Sequence, residues 1–447
     1  MNDIQYWEEK LDSFDYEERW NVFSKLVEKA KKGEIIFPPP SPQVNLHFHT
    51  FFSFNAYGYS PLHVIWKARE LGLSMAGSVD FDVLDAVPEF QRGGLEVGLP
   101  FSSGIETRIY LPEFPDKEFS SPHEPGVAYY MGNGFTRLPD EDSEAERILL
   151  NLKKIAQTRN QKVIEKVNVY LDRVQIHYQQ DVLPLTPSGN PTERHIVLAY
   201  ALKSEALIPD EEERAEFWGE KLSMGKGEIK KLFGDKATFY DFIRDKLIKF
   251  GGVGYVNPDS GDFPSRAELN RMTLESGALP SFSWLDGTNS GERDPETLLE
   301  FCLANGIETL FLIPDRTWNI PDEEERKIKL AKLYEIVEET KKRDMPVFVG
   351  TELNRYGQKL VDDFDSPYLK PLTPYFLESA WTLWGHVVME MTSRRGYTSD
   401  WAKENFSERH KKNQFFASLG KNTPAEEKAM ERVGRKSTSH LLREFGG

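Results

Sequence analysis

The chain contains a single cysteine, Cys302, among 447 residues. No intramolecular disulfide can form and a cysteine-based zinc site is excluded, so any metal must sit on histidine and carboxylate. Basic charge is also in short supply: 56 Lys and Arg stand against 72 Asp and Glu, for a formal net charge of −16. Nucleic-acid backbones and anionic membranes both repel such a balance, which disfavours long nucleic acid as a partner and gives no reason to expect membrane binding. No stretch approaches the roughly 20 apolar residues that span a bilayer, and Met1 to Lys10 has neither a basic n-region nor an apolar run. A soluble cytoplasmic protein is the expectation.

What the chain does have is length and a regular alternation. Residues 3–32 read as two charged helices anchored by Tyr6, Trp7, Phe14, Trp20 and Phe23, and Pro38, Pro39, Pro40 and Pro42 then close them off. Proline cannot continue a helix, so residues 1–43 form an appendage with an extended connector and the main domain starts near Val44. From there short apolar runs alternate with amphipathic stretches, the pattern of βα units around a parallel sheet or barrel. Strands are expected at Val44–His49, Leu73–Asp80, Leu99–Glu106, Gly126–Gly132, Gly252–Asn257, Ala278–Leu285, Ile307–Pro314 and Met345–Glu352. Helices are expected at Pro61–Leu71, Asp85–Leu95, Ser265–Ser276, Pro295–Asn305 and Glu323–Arg343, with Asp294 before Pro295 as a helix start. Residues 140–250 break the rhythm with a helical, highly charged insertion, and 366–447 read as a helical extension.

The chemistry concentrates at the strand ends. In Asn45-Leu-His47-Phe-His49-Thr50 two histidines spaced i, i+2 on a strand project from one face, so both imidazoles can close on one cation. An isolated His-x-His more often simply packs in a core. Here Asp80, Asp82, Glu106, Asn257, Asp286, Asp315, Arg316, Glu352 and Asn354 fall at the ends of other expected strands. In parallel βα architectures that edge carries the active site, although any one carboxylate there can equally cap the following helix.

These segments together resemble the PHP (polymerase and histidinol phosphatase) domain family. The likeness runs through His47-Phe-His49-Thr, Ser60-Pro61, Ala68-Arg-Glu-Leu-Gly-Leu, Ala76-Gly-Ser-Val-Asp80-Phe-Asp82 and Gly104-Ile-Glu106, with weaker matches to Gly350-Thr-Glu352-Leu-Asn354, over residues 44–365. It implies a distorted (βα) barrel with a helical insertion and helical N- and C-terminal additions, a metal centre, and hydrolysis of phosphoesters. It further implies a first metal site made of His47, His49, Glu106 and Glu352, the last replacing the family's aspartate. Positions that would ligate further metals hold Tyr129 and Asn257 for a second and Asn55, Phe81 and Asn354 for a third, none a useful ligand set for a transition metal. One divalent ion, Zn²⁺, Mn²⁺ or Fe²⁺, is therefore expected.

The resulting expectation is metal-assisted hydrolysis of a small phosphorylated molecule. Asp80 is the candidate for proton handling or for orienting a ligand, and Arg194 and His195 for holding phosphate, with Arg108 and Arg316 as further candidates. His63, His177, His386, His410 and His440 read as structural or solvated, and His123 as able to swing toward the centre. Two alternatives stand beside this: a non-catalytic PHP relative whose pocket binds a ligand or partner with a structural or absent metal, and an amidohydrolase-type barrel. The latter normally adds lysine or histidine at later strand ends, where this chain has Asn, Asp and Glu.

Overall fold

The computed structural model describes residues 3–256 and 263–446. Seven strands form one sheet in chain order: β1 (Val44–Phe48), β2 (Met75–Phe81), β3 (Phe101–Tyr110), β4 (Val127–Asn133), β5 (Leu279–Trp284), β6 (Thr309–Leu312) and β7 (Val347–Val349). A parallel bridge between Phe48 and Glu352 brings the last strand back to the first. The result is a nearly closed, distorted barrel with flanking helices and helical additions at both ends.

Local chemistry explains most of these elements. β1, β5, β6 and β7 are buried at every position, as strands with both faces covered must be. Helix Pro61–Glu70 begins with the Ser60 hydroxyl accepting the His63 N–H, and helix Pro295–Ala304 with Asp294 accepting from Thr297, each with proline in the first turn. Helix Thr373–Ser393, the first of the C-terminal extension, packs on the barrel: the Ser379 hydroxyl accepts the Val347 N–H at 3.0 Å, and Trp384 meets Phe101 edge-on.

Two expectations need correction. The sheet is not all parallel, because β4 runs antiparallel to both β3 and β5. Residues 111–126, between β3 and β4, contain no helix that could serve as a crossover, so the chain turns back beside the strand it has just left. Nor is there a strand at 252–256. There Gly252 N–H bonds to Lys249 O and Gly254 N–H to Leu247 O, folding the segment onto helix Lys236–Leu247. Asn257, the expected end of that strand, lies outside the described residues.

Contacts divide the chain into two compact units. The first, Met1–Thr50, Asn55–Leu149 and Pro264–Gly447, contains the barrel and both terminal additions. The second, Phe51–Phe54 and Leu150–Phe263, is helical, with a core that includes Val167, Ile196, Tyr200, Trp218, Phe239 and Ile243.

Candidate metal centre

The site begins with β1. The imidazoles of His47 and His49 are wholly buried, and their ring centroids are 4.9 Å apart. Register supplies the third member: Glu106 pairs with Phe81, the last residue of β2, which sets the carboxylate level with that strand's C-terminal end. Glu106 Oε2 lies 3.4 Å from His47 Nε2 and 3.5 Å from His49 Nε2. One ligand atom from each of the three residues falls within 4.8 Å of the others. Burial pushes the Glu106 carboxyl up, but the two imidazoles outweigh it and hold the group below the usual carboxylate range.

Nε2 of His47 and Oε2 of Glu106, 3.4 Å apart, are both buried without a hydrogen-bond partner. Leaving a buried polar group unsatisfied costs about 1–3 kcal/mol, so two such atoms facing each other call for an explanation. A cation supplies one. Two imidazole nitrogens and a carboxylate oxygen form a donor set suited to Zn²⁺, Mn²⁺ or Fe²⁺.

Glu352 sits beside this group in a different way. Its N–H donates to His47 O at 2.8 Å and its carbonyl accepts the His49 N–H at 2.8 Å, tying its backbone to both histidines. Glu352 and Leu353 have φ of +69° and +61°, and a Leu353 N–H to Thr351 O bond closes a three-residue turn around Glu352. Left-handed backbone at a residue with a side chain is strained and concentrates where function needs it. The Glu352 carboxylate itself is not in the three-residue group; its Oε2 accepts from Arg316 Nη2 at 2.6 Å and from Gln358 Nε2 at 3.1 Å.

Asp80 stands one residue from the end of β2 and is buried. It accepts the Thr50 N–H at 2.8 Å and the Thr50 hydroxyl at 2.7 Å, so it holds the residue that follows His49. It does not cap the next helix, Val87–Val97, which starts at Ala86 with no side-chain cap. Arg194 and His195 belong to the second unit. Arg194 pairs with Asp241 at 3.2 Å, while His195 closes a capping box by accepting the Thr192 N–H at 3.0 Å. Burial pushes the His195 imidazole down to about 3, so at neutral pH it carries no charge with which to attract phosphate.

The positions expected to have lost ligands are occupied by packing and hydrogen bonds. Phe81 stacks on His49 at 4.5 Å, Tyr129 lies 6.2 Å from Phe81, and the Asn55 amide donates to His49 O at 2.8 Å. Arg108 pairs with Glu124, and His123 is exposed on the loop before β4. His63 bonds to Asp12 at 2.8 Å and stacks on Tyr59. Thr50 and Gln358 were not anticipated from sequence. Thr50 directly follows His49, but nothing marks it as the partner of a carboxylate on the next strand.

No family model matches the chain, and no curated protein matches it. Among solved structures, an amidohydrolase from Chromobacterium violaceum, with bound sulfate and no metal, is similar at 14% identity and a TM-score of 0.47, over 72% of this chain and 91% of that one. A candidate metal-dependent phosphoesterase from Bifidobacterium adolescentis is similar at 17% identity and a TM-score of 0.47, over 73% and 94%. Among the described residues no helix is long and apolar enough to cross a membrane.

Proposed function

We propose that this protein is a metal-dependent hydrolase that cleaves a phosphoester of a small phosphorylated molecule around one divalent ion, held by His47, His49 and Glu106 with Glu352 completing the set. The observation that carries the reading is the convergence of buried, unsatisfied atoms of His47 and Glu106 at one end of the barrel. When bound, such an ion would act as a Lewis acid toward a phosphoryl oxygen. The chain's own residues do the rest. Glu106 contributes anionic charge from a buried position, and Asp80, through Thr50, fixes the segment that presents His49. Arg316, at the mouth, offers a guanidinium whose fork matches phosphate oxygens.

A binding protein with a structural metal is the competing reading. It draws on Phe81 and Asn55, which pack against His49 where further ligands would be needed for a multi-metal centre. The two separate by experiment. Elemental analysis of the purified protein and titration with Mn²⁺ or Zn²⁺ should give one ion per chain, with Glu106→Gln weakening it by about 10-fold or more. A panel of small phosphoesters with added metal then tests hydrolysis. Absence of metal binding, or binding indifferent to Glu106→Gln, would sink the metal centre; metal binding without turnover of any phosphoester would favour the binding protein.

A further inference from the structure

We propose that Arg316 and the metal ion compete for Glu352, so that metal binding releases Arg316 and creates an anion subsite at the mouth of the centre. The inference rests on the metal reading above and adds to it a coupling between two ligands. Three observations carry it. The Glu352 backbone is bonded on both sides to the histidines, to His47 O and from His49 N–H, so the residue cannot leave their neighbourhood. Its carboxylate is buried, with 7% of the side chain exposed, and therefore requires a positive partner. The partner it has is Arg316, at 2.6 Å, whose own side chain is 39% exposed and comes from the short helix Asp315–Trp318 after β6.

A carboxylate oxygen that accepts from a guanidinium and an amide has little left for a cation. A divalent ion beside His47, His49 and Glu106 attracts the same oxygen more strongly than a single positive charge does. As Glu352 turns to the ion, Arg316 loses its counter-charge while staying within reach of the centre. An arginine in that state offers a bidentate site for two oxygens of a phosphoryl group. By linkage, a change that weakens the pair while leaving Glu352 intact must tighten metal binding, and metal must in turn loosen the pair.

The test uses Mn²⁺ alone, followed by calorimetry, on the full chain. Arg316→Met should tighten Mn²⁺ binding roughly tenfold, and the same change in a Glu352→Gln background should produce no gain. Unchanged or weaker binding by Arg316→Met with Glu352 intact overturns the competition. Should Arg316→Met fail to fold, the wild-type protein decides: phenylglyoxal modification of Arg316, mapped by peptide mass, should speed up when Mn²⁺ is added. No change, or protection, overturns the proposal. If the wild type binds no Mn²⁺, or Glu106→Gln binds it equally well, the metal reading falls and this inference falls with it; a normal Mn²⁺ site with an indifferent Arg316 removes the inference alone.

Discussion

Asp80 grips Thr50 twice, through its backbone N–H at 2.8 Å and its hydroxyl at 2.7 Å, across the gap between β2 and the residue that follows His49. Both groups are buried, so these are charge-assisted bonds formed away from water. Asp80→Ala should lower stability by about 2–3 kcal/mol in chemical denaturation and weaken metal binding about tenfold, because the His49 segment loses its tether. Thr50→Ser, which keeps both donors, should stay near wild type. Equal metal affinity in Asp80→Ala and wild type would show that the tether does nothing for the centre.

Closure of the barrel next to the site depends on Gly350. A Cβ there would lie 2.3 Å from the Cβ of His47, 2.5 Å from its backbone nitrogen and 2.6 Å from Oδ1 of Asn45. The Asn45 side chain also bonds Thr351, accepting its N–H at 3.2 Å and donating to its hydroxyl, so the contact cannot open cheaply. Gly350→Ala should cost about 3 kcal/mol, at the upper end of overpacking effects, and should displace His47. Denaturation midpoints together with Mn²⁺ affinity check this, and a variant with normal values of both would contradict the tight closure.

Much of this arrangement is legible in the sequence, for physical reasons that also mark where legibility ends. The expected strands beginning at Val44, Leu73, Leu99, Gly126, Ala278, Ile307 and Met345 each contain an observed strand core, because short buried apolar runs bounded by turn residues are a local signal. The direction of β4 is not local; it depends on whether a helix fills the preceding connection. His47 and His49 announce themselves by their two-residue period, whereas Glu106 gains meaning only through its register with Phe81. The pairing of Glu352 with Arg316 joins the turn after β7 to a short helix 36 residues earlier, and no periodicity encodes it. Likewise, Arg194 and His195 read as phosphate ligands from their side-chain chemistry and the resemblance of their segment to the family's, but burial leaves His195 an uncharged helix cap.

The N-terminal appendage is fastened by a buried ion pair. In helix Tyr16–Lys31, Arg19 donates through Nε to Glu89 Oε1 at 2.8 Å, and each side chain is only 5% exposed. Burial raises the Glu89 carboxyl while Arg19 pulls it down, so removing the arginine leaves a costly group behind. Arg19→Met should destabilise by about 3–5 kcal/mol, and adding Glu89→Leu should recover most of that loss. Urea titrations of the two variants decide it: a neutral Arg19→Met, or no recovery in the double variant, would mean the pair does not fasten the helix.

Acid sensitivity should trace in part to His386. In helix Thr373–Ser393 its Nε2 donates to Gly134 O at 3.0 Å, and its Nδ1 accepts the Tyr397 N–H at 3.0 Å, which fixes a neutral tautomer. Burial pushes the imidazole down to about 4, with the Gly134 carbonyl opposing. In the unfolded chain the same group titrates near pH 6.5, so on acidification the unfolded state takes up the proton first. The stability linked to His386 is therefore intact above about pH 6.5 and drains away as pH falls toward the folded value, by up to about 1.4 kcal/mol per pH unit. His195, held down to about 3, acts in the same direction in the second unit. His386→Gln keeps a donor but no titrating group, and should lose less stability than wild type between about pH 7.5 and pH 5. Hydrogen exchange in residues 373–393 at the two pH values reads this locally. Parallel losses in the two proteins would mean that protonation of His386 does not drive the decline.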